Sequence, residues 1–258
     1  MTLAPVRAVA AYRWAVYRRT WKGSMFSTVL NPIMFLLAIG VGLGSLVDEG
    51  TADTLDGVAY LAFVAPGMLA TTAMFTGVND SMYPVLGAVK WVPTTFAQVA
   101  TPITPAQAAI GHLLWNVVRL LMGIGAFFVV MVLAGAAESV WVVAAIPVAL
   151  LTGVAFAAPV QAWAVSLDDD ALFPSFQRFV VLPMFLFSGT FFPIEQLPDA
   201  LEPVAVLVPL WHGVELCRSL SLGTATVAGS ALHVAVLAAV AAAGIVASVR
   251  TYRTRLTP

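Results

Sequence analysis

Six runs of about twenty mostly apolar residues, separated by short polar connections, constrain this chain more than any other feature. A run of that length forms a helix that crosses the hydrocarbon of a bilayer, where the backbone must satisfy its own polar groups. The runs lie at about 28–47, 58–76, 110–133, 140–163, 176–192 and 226–249. They predict an all-α polytopic membrane protein with six transmembrane helices, organised as one transmembrane domain over 1–258. The residues are 60% hydrophobic and 10% charged, with mean hydropathy +0.94, whereas a soluble domain carries about 25% charged residues. The spans leave only short connections and no room for a soluble domain.

Charge placement sets the expected orientation. Arg7, Arg13, Arg18, Arg19, Lys22, Arg250, Arg253 and Arg255 place most of the basic residues near the two ends. Basic flanks stay in the cytoplasm, so both termini are expected inside, which requires an even number of spans. Asp48, Glu49, Asp53, Asp56, Glu138, Glu195, Asp199, Glu202 and Glu215 then fall outside or near the outer face. Asp168, Asp169 and Asp170 fall inside, but acids weigh little in topology. Residues 1–27 are basic and lack the separate apolar core of a cleavable leader, so span one is expected to act as the insertion signal. Residues 4–26 interleave Tyr12, Trp14, Tyr17 and Trp21 with cations, the pattern of an interfacial helix at headgroup depth.

Two segments depart from simple crossings. Residues 79–109 form the longest inter-span connection, broken by Pro84, Pro93, Pro102 and Pro105 and expected in the cytoplasm. Thr104 followed by Pro105 reads as an N-cap and first helical position. At the other face, the run VVLPMFLFSGTFFPIEQLPDALEPVAVLVP ends an apolar span in a Gly-Thr-Phe-Phe-Pro turn and continues into a short acidic, proline-bracketed piece. Its apolar side and its Glu195, Asp199 and Glu202 predict a re-entrant helical hairpin between spans five and six, with 193–209 dipping into the outer leaflet.

The chain carries no G-x-x-x-x-G-K-[ST] loop to cradle nucleotide phosphates. His112, His212 and His233 are far apart in sequence and lack a neighbouring Cys or carboxylate cluster, so no metal site is expected. Ser188 lacks the nucleophile-elbow pattern and a nearby base. No catalytic site is expected in this chain. Arg119 lies about 12 Å into span three, where a charge must snorkel, pair or face a polar interior. Asn116 and His112 share its face. Asn79, Asp80 and Gln161 read as interfacial or helix-joining polar groups, Glu215 and Arg218 as a structural i, i+3 pair, and Cys217 as an apolar filler.

The strings WKGSMFSTVLNPIMFLLAIGVGLG, YLAFVAPGMLA, ATPITPAQAAIGHLLWNVVR, FLFSGTFFPIEQLP and LVPLWHGVELCR, in this order and spacing, resemble the membrane subunit of ABC-2 type exporters. That group contains the daunorubicin-resistance and nodulation lipo-oligosaccharide export permeases. The resemblance implies an N-terminal interfacial helix, six spans, a re-entrant pair and a coupling helix at about 90–101. Within it, Lys90, Trp91, Val92, Pro93, Thr94, Thr95 and Phe96 would meet the ATPase. It implies a second copy of the chain or a close homologue, and two cytoplasmic ATP-binding subunits holding ATP and Mg. Phe185, Phe187, Ser188, Phe191, Phe192 and Glu195 then become candidates for an outer gate, with Asn116 and Arg119 as intramembrane polar residues. The implied function is outward movement of an amphiphilic drug, lipid or glycolipid across a bacterial plasma membrane, with antibiotic resistance one form of it; nothing points to nucleic acid. Two other readings are a secondary transporter, which should show inverted repeats, and a membrane enzyme acting on lipid, which should cluster His, Asp or Arg at one interface.

Overall fold

A computed structural model describes residues 3–38, 58–198 and 200–257, and all regular structure among them is helical. Helix α1 is Leu3–Leu37, α2 Tyr60–Ser81, α3 Tyr83–Val89, α4 Thr94–Val99 and α5 Pro105–Leu133. A short 3-10 turn, Val140–Ala144, leads into α6, Ala145–Ser166. Then follow α7, Phe173–Leu186, α8, Glu202–Leu207, α9, Pro209–Leu222, and α10, Val227–Leu256. Four stretches are long and apolar enough to cross a membrane: Tyr60–Val89, Pro105–Leu133, Val140–Ser166 and Val227–Leu256. The chain is therefore an all-α polytopic membrane protein. The second half of expected span one, the acidic stretch 48–57 and Asp199 lie outside the described residues.

Burial orders the bundle. In the most apolar window of Tyr60–Val89, 78% of residues are buried, against 22% for Val227–Leu256. Helix α2 is thus the central post, and α10 lies at the outside of the bundle, with Val227 and Leu232 exposed. Lipid tails are as apolar as leucine, so helices in a membrane associate by close packing rather than by the hydrophobic effect. Small residues supply that closeness. A Cβ on Gly77 of α2 would stand 2.5 Å from the Gly153 carbonyl oxygen of α6, and Gly244 of α10 seats directly on Pro159 of α6.

Several boundaries differ from expectation for identifiable reasons. Helix α1 runs unbroken through Gly23, so the aromatic-basic stretch and the first half of expected span one are one helix; a single glycine costs only about 1 kcal/mol relative to alanine. Span two was expected to stop near 76, but α2 continues to Ser81 and α3 resumes after Met82, carrying the apolar stretch to Val89. Met82, Val85, Leu86 and Val89 are buried and hold that extension down. Span five was expected over 176–192, but α7 ends at Leu186, only about 21 Å of helix. Proline explains the shortening. Pro183 withdraws one backbone donor, Gln177–Val181 widens into a π-type turn just before it, and Gly189 reverses the chain at φ +75°. Helix α5 begins where Thr104 and Pro105 indicated: the Gln107 amide donates to Thr104 Oγ1 at 3.3 Å and the Thr104 amide to Gln107 Oε1 at 2.9 Å.

Candidate functional site

The candidate residues fall into three zones stacked along the bundle. The first gathers the connection and both ends of the chain. Lys90 Nζ donates to Asp168 Oδ1 at 2.7 Å, and Arg255 donates to the same oxygen. The two cations hold the Asp168 carboxyl below the usual carboxylate range, chiefly through these hydrogen bonds. Beyond Lys90 the chain presents Trp91, Val92 and Phe96 as exposed apolar side chains. Pro93 opens α4, whose Thr94 is half-buried and whose Thr95 is buried. A groove of about 410 Å³ runs between α1 and this segment, lined by Tyr12, Arg13, Val16, Tyr83, Trp91 and Thr94. A second, of about 310 Å³, lies between Val9, Tyr12, Ala97 and Ile103. Exposed apolar stretches of this kind mark contact surfaces for proteins or membranes.

The second zone is a polar belt at the end of α2. Asn79, Asp80 and Ser81 are consecutive, so their side chains fan out in steps of about 100°. Each meets a different partner: Asn79 Oδ1 accepts from Gln177 Nε2 at 2.6 Å, Asp80 Oδ2 from Arg119 Nε at 3.0 Å, and Ser81 Oγ from Asn116 Nδ2 at 2.7 Å. Arg119 also stacks over Tyr17, its guanidinium carbon 4.9 Å from the ring centroid. Arg119 is thus paired with Asp80. Gln161 joins α5 and α10 through the Ala109 carbonyl at 3.0 Å and Ser248 Oγ at 2.9 Å.

The third zone is the turn after α7. Arg218 of α9 is 7% exposed, and its donors reach three carbonyl oxygens: Gly189 at 2.6 Å, Phe63 at 3.1 Å and Thr190 at 3.5 Å. Nη1 meets Glu215 Oε2 at 3.3 Å, and the guanidinium lies 3.7 Å over the Phe63 ring. Thr190 Oγ1 shares hydrogen bonds with Thr71 at 3.2 Å and Ser188 at 2.8 Å, and Tyr60 donates to the Phe191 carbonyl at 3.2 Å. Phe185 packs between Phe75 and Phe191. Of the residues expected at an outer gate, Ser188 is thus fully buried and Phe185 and Phe191 are ring-packed, while Phe187 is exposed. Phe192 packs on Ile194, Leu197 and Ala205. Glu195 borders a cavity of about 900 Å³, together with Phe63, Trp211, Glu215, Arg218 and His233.

Two features of this third zone escaped the sequence reading. Arg218 read as half of an i, i+3 pair with Glu215, yet most of its hydrogen bonds go to backbone oxygens far away in sequence. Its signal was a cation in a helix otherwise dominated by apolar and small residues. His212 and His233 also come together, their Nδ1 atoms 2.8 Å apart beside Trp211. Among the described residues, no group of three or more His, Cys, Asp or Glu is placed to hold a metal ion.

Long apolar helices joined by close-packed glycine contacts, with an exposed apolar connection between them, define a polytopic helical membrane protein. The ABC-2 type transporter family model matches residues 5–222, and the chain belongs to that family. It is 33% identical over 233 residues to Nodulation protein J of Rhizobium leguminosarum bv. viciae, covering 86% of each chain. It is 31% identical over 263 residues to Nodulation protein J of Rhizobium meliloti (strain 1021), covering 98% of each. The same identity holds over 261 residues with Nodulation protein J of Bradyrhizobium diazoefficiens, covering 98% of this chain and 97% of the relative. The chain is the transmembrane subunit of an ABC exporter.

Proposed function

We propose that this chain forms one half of an outward-pumping pathway for a glycolipid-like amphiphile, powered by two cytoplasmic subunits that bind ATP and Mg. In this reading a second copy of the chain completes the pathway in a bacterial plasma membrane. Six spans place both termini in the cytoplasm. The short α7, the turn at Gly189 and helices α8 and α9 form the re-entrant pair at the outer face. The exposed Trp91–Phe96 segment is the contact for the ATPase.

The observation that carries this reading is the pairing of near-full-length similarity to the nodulation proteins with an apolar, aromatic turn beside a polar cavity. An amphiphile needs both surfaces, one for its chain and one for its head. A secondary transporter would instead need buried ion-coupling charges at midplane, and here the pair Arg119–Asp80 joins helices.

The test is copurification with the candidate ATPase, followed by hydrolysis measured in nanodiscs with and without an added lyso-glycolipid. Stimulated hydrolysis that depends on this chain is the expected result. Stable assembly with no response to any amphiphile, and no export into vesicles, would overturn it. Accessibility labelling at introduced cysteines checks the orientation: Ala200→Cys should react from outside and Thr254→Cys from inside.

A further inference from the structure

Two side chains of α1 reach the polar belt: Tyr17, beneath Arg119, and Arg13, one turn earlier. Arg13 is engaged in two directions. Its terminal nitrogens both lie 3.4 Å from the Pro84 carbonyl oxygen, at the start of the short α3 that leads into the Lys90–Phe96 segment. Nη2 also lies 3.1 Å from Nε2 of His112 on α5, and His112 Nδ1 lies 2.6 Å from the hydroxyl of Tyr252 on α10.

The chemistry gives this chain of bonds a direction. Arginine has no acceptor, so Nε2 of His112 accepts and carries no proton. The neutral ring then holds its proton on Nδ1 and donates it to Tyr252. His112 is 4% exposed and Tyr252 fully buried, so water does not substitute for either partner. The backbones are equally close: a Cβ on Gly111 would stand 2.5 Å from the Cβ of Val9, one residue away from His112. The contact to Tyr252 is the shorter end of the chain of bonds, and the two 3.4 Å contacts to Pro84 lie beyond the ordinary hydrogen-bond range.

We propose that Arg13 is a positioning residue that transmits displacement of the connection at Pro84 to α5 and α10 together, through the neutral His112. This rests on the ATP-driven reading above. Movement of the Trp91–Phe96 segment shifts Pro84, Arg13 follows or releases it, and His112 and Tyr252 are drawn or freed as a unit.

The experiment uses the complex with its ATPase in nanodiscs, with Thr224→Cys as a reporter at the outer cavity. The native Cys217 is fully buried and leaves little background labelling. The readout is the change in maleimide labelling rate on adding ATP. Arg13→Ala is expected to reduce that ATP-dependent change about tenfold, within the ordinary range of site-to-site coupling, while the complex assembles and still hydrolyses ATP. The exposed Arg18→Ala, on the same helix, should change nothing. His112→Gln supplies both an acceptor and a donor and is expected to retain most of the response, whereas His112→Leu loses it and, by leaving the buried Tyr252 hydroxyl unpaired, also lowers the unfolding temperature. Should Arg13→Ala fail to assemble, Arg13→Lys keeps the charge but cannot hold both partners, and it too should lose the response. A full ATP-dependent change in Arg13→Lys or Arg13→Ala would overturn the proposal. An ATP-independent labelling rate in the unmutated complex would overturn the ATP-driven reading instead.

Discussion

A guanidinium in an apolar setting persists only when its fixed fork of donors is occupied. Arg218 meets that condition with backbone carbonyls from α2 and from the turn after α7. Lysine cannot reproduce the geometry, because one ammonium does not span the Phe63 and Gly189 oxygens. Arg218→Lys should therefore destabilise the subunit by about 3 kcal/mol or more, read as a fall in thermal unfolding temperature in detergent. Asp80 and Arg119 make a different test. Asp80→Ala leaves a mostly buried cation and should cost about 3 kcal/mol, whereas Asp80→Leu with Arg119→Leu together should cost less than the sum of the two single changes. Sequence placed Arg119 on a polar face with Asn116 and His112 but could not supply its partner. That partner is 39 positions earlier, and no local periodicity encodes a contact between the end of one helix and the middle of another. Arg218 shows the complementary case: its partner at i−3, Glu215, was legible and is in place at 3.3 Å, while the distant carbonyls were not legible.

Among the elements, the long helices were legible because their apolar runs exceed the bilayer thickness, and the start of α5 because Thr104 and Pro105 carry its cap chemistry. The end of α7 was not legible. Its hydropathy continues to Phe192, and only the combined effect of Pro183, a widened turn and Gly189 at positive φ stops the helix. Gly189→Ala should cost about 1–2 kcal/mol from the left-handed backbone alone, with further crowding against Ile194 at 3.0 Å. Gly77→Val should be worse for folding than for chemistry. Its side chain would press on the Gly153 carbonyl and part α2 from α6, and the expected outcome is loss of membrane-inserted protein on a blot rather than an inactive but stable subunit.

Across the whole molecule, exposed charge ties the connection after α3 to the C-terminal helix. Asp168 takes Lys90 from the connection and Arg255 from the C-terminal helix, and its carboxyl is held below the ordinary range. A group whose acidity is strengthened by folding stabilises the fold above its unfolded pKa, about 3.9 for aspartate, and loses that contribution as pH falls through the lower folded value. The joint should thus be indifferent to pH between about 5 and 8 and fail only in strong acid. It should respond to salt instead, because exposed pairs are screened. The unfolding temperature in detergent should fall slightly as salt is raised at neutral pH, and Asp168→Asn should remove that part of the salt dependence.

Arg218 also changes what it means for the turn at Gly189 to be folded. A tight turn ordinarily closes on itself, carbonyl to amide across a few residues. Here a side chain from another helix supplies the missing donors, so the turn is held by a loan from its neighbour. Ser188 and Thr190 bond within the turn, but its outermost carbonyls depend on α9. Any tilt of α9 that withdraws the guanidinium leaves bare carbonyls at 189 and 190, open to another donor.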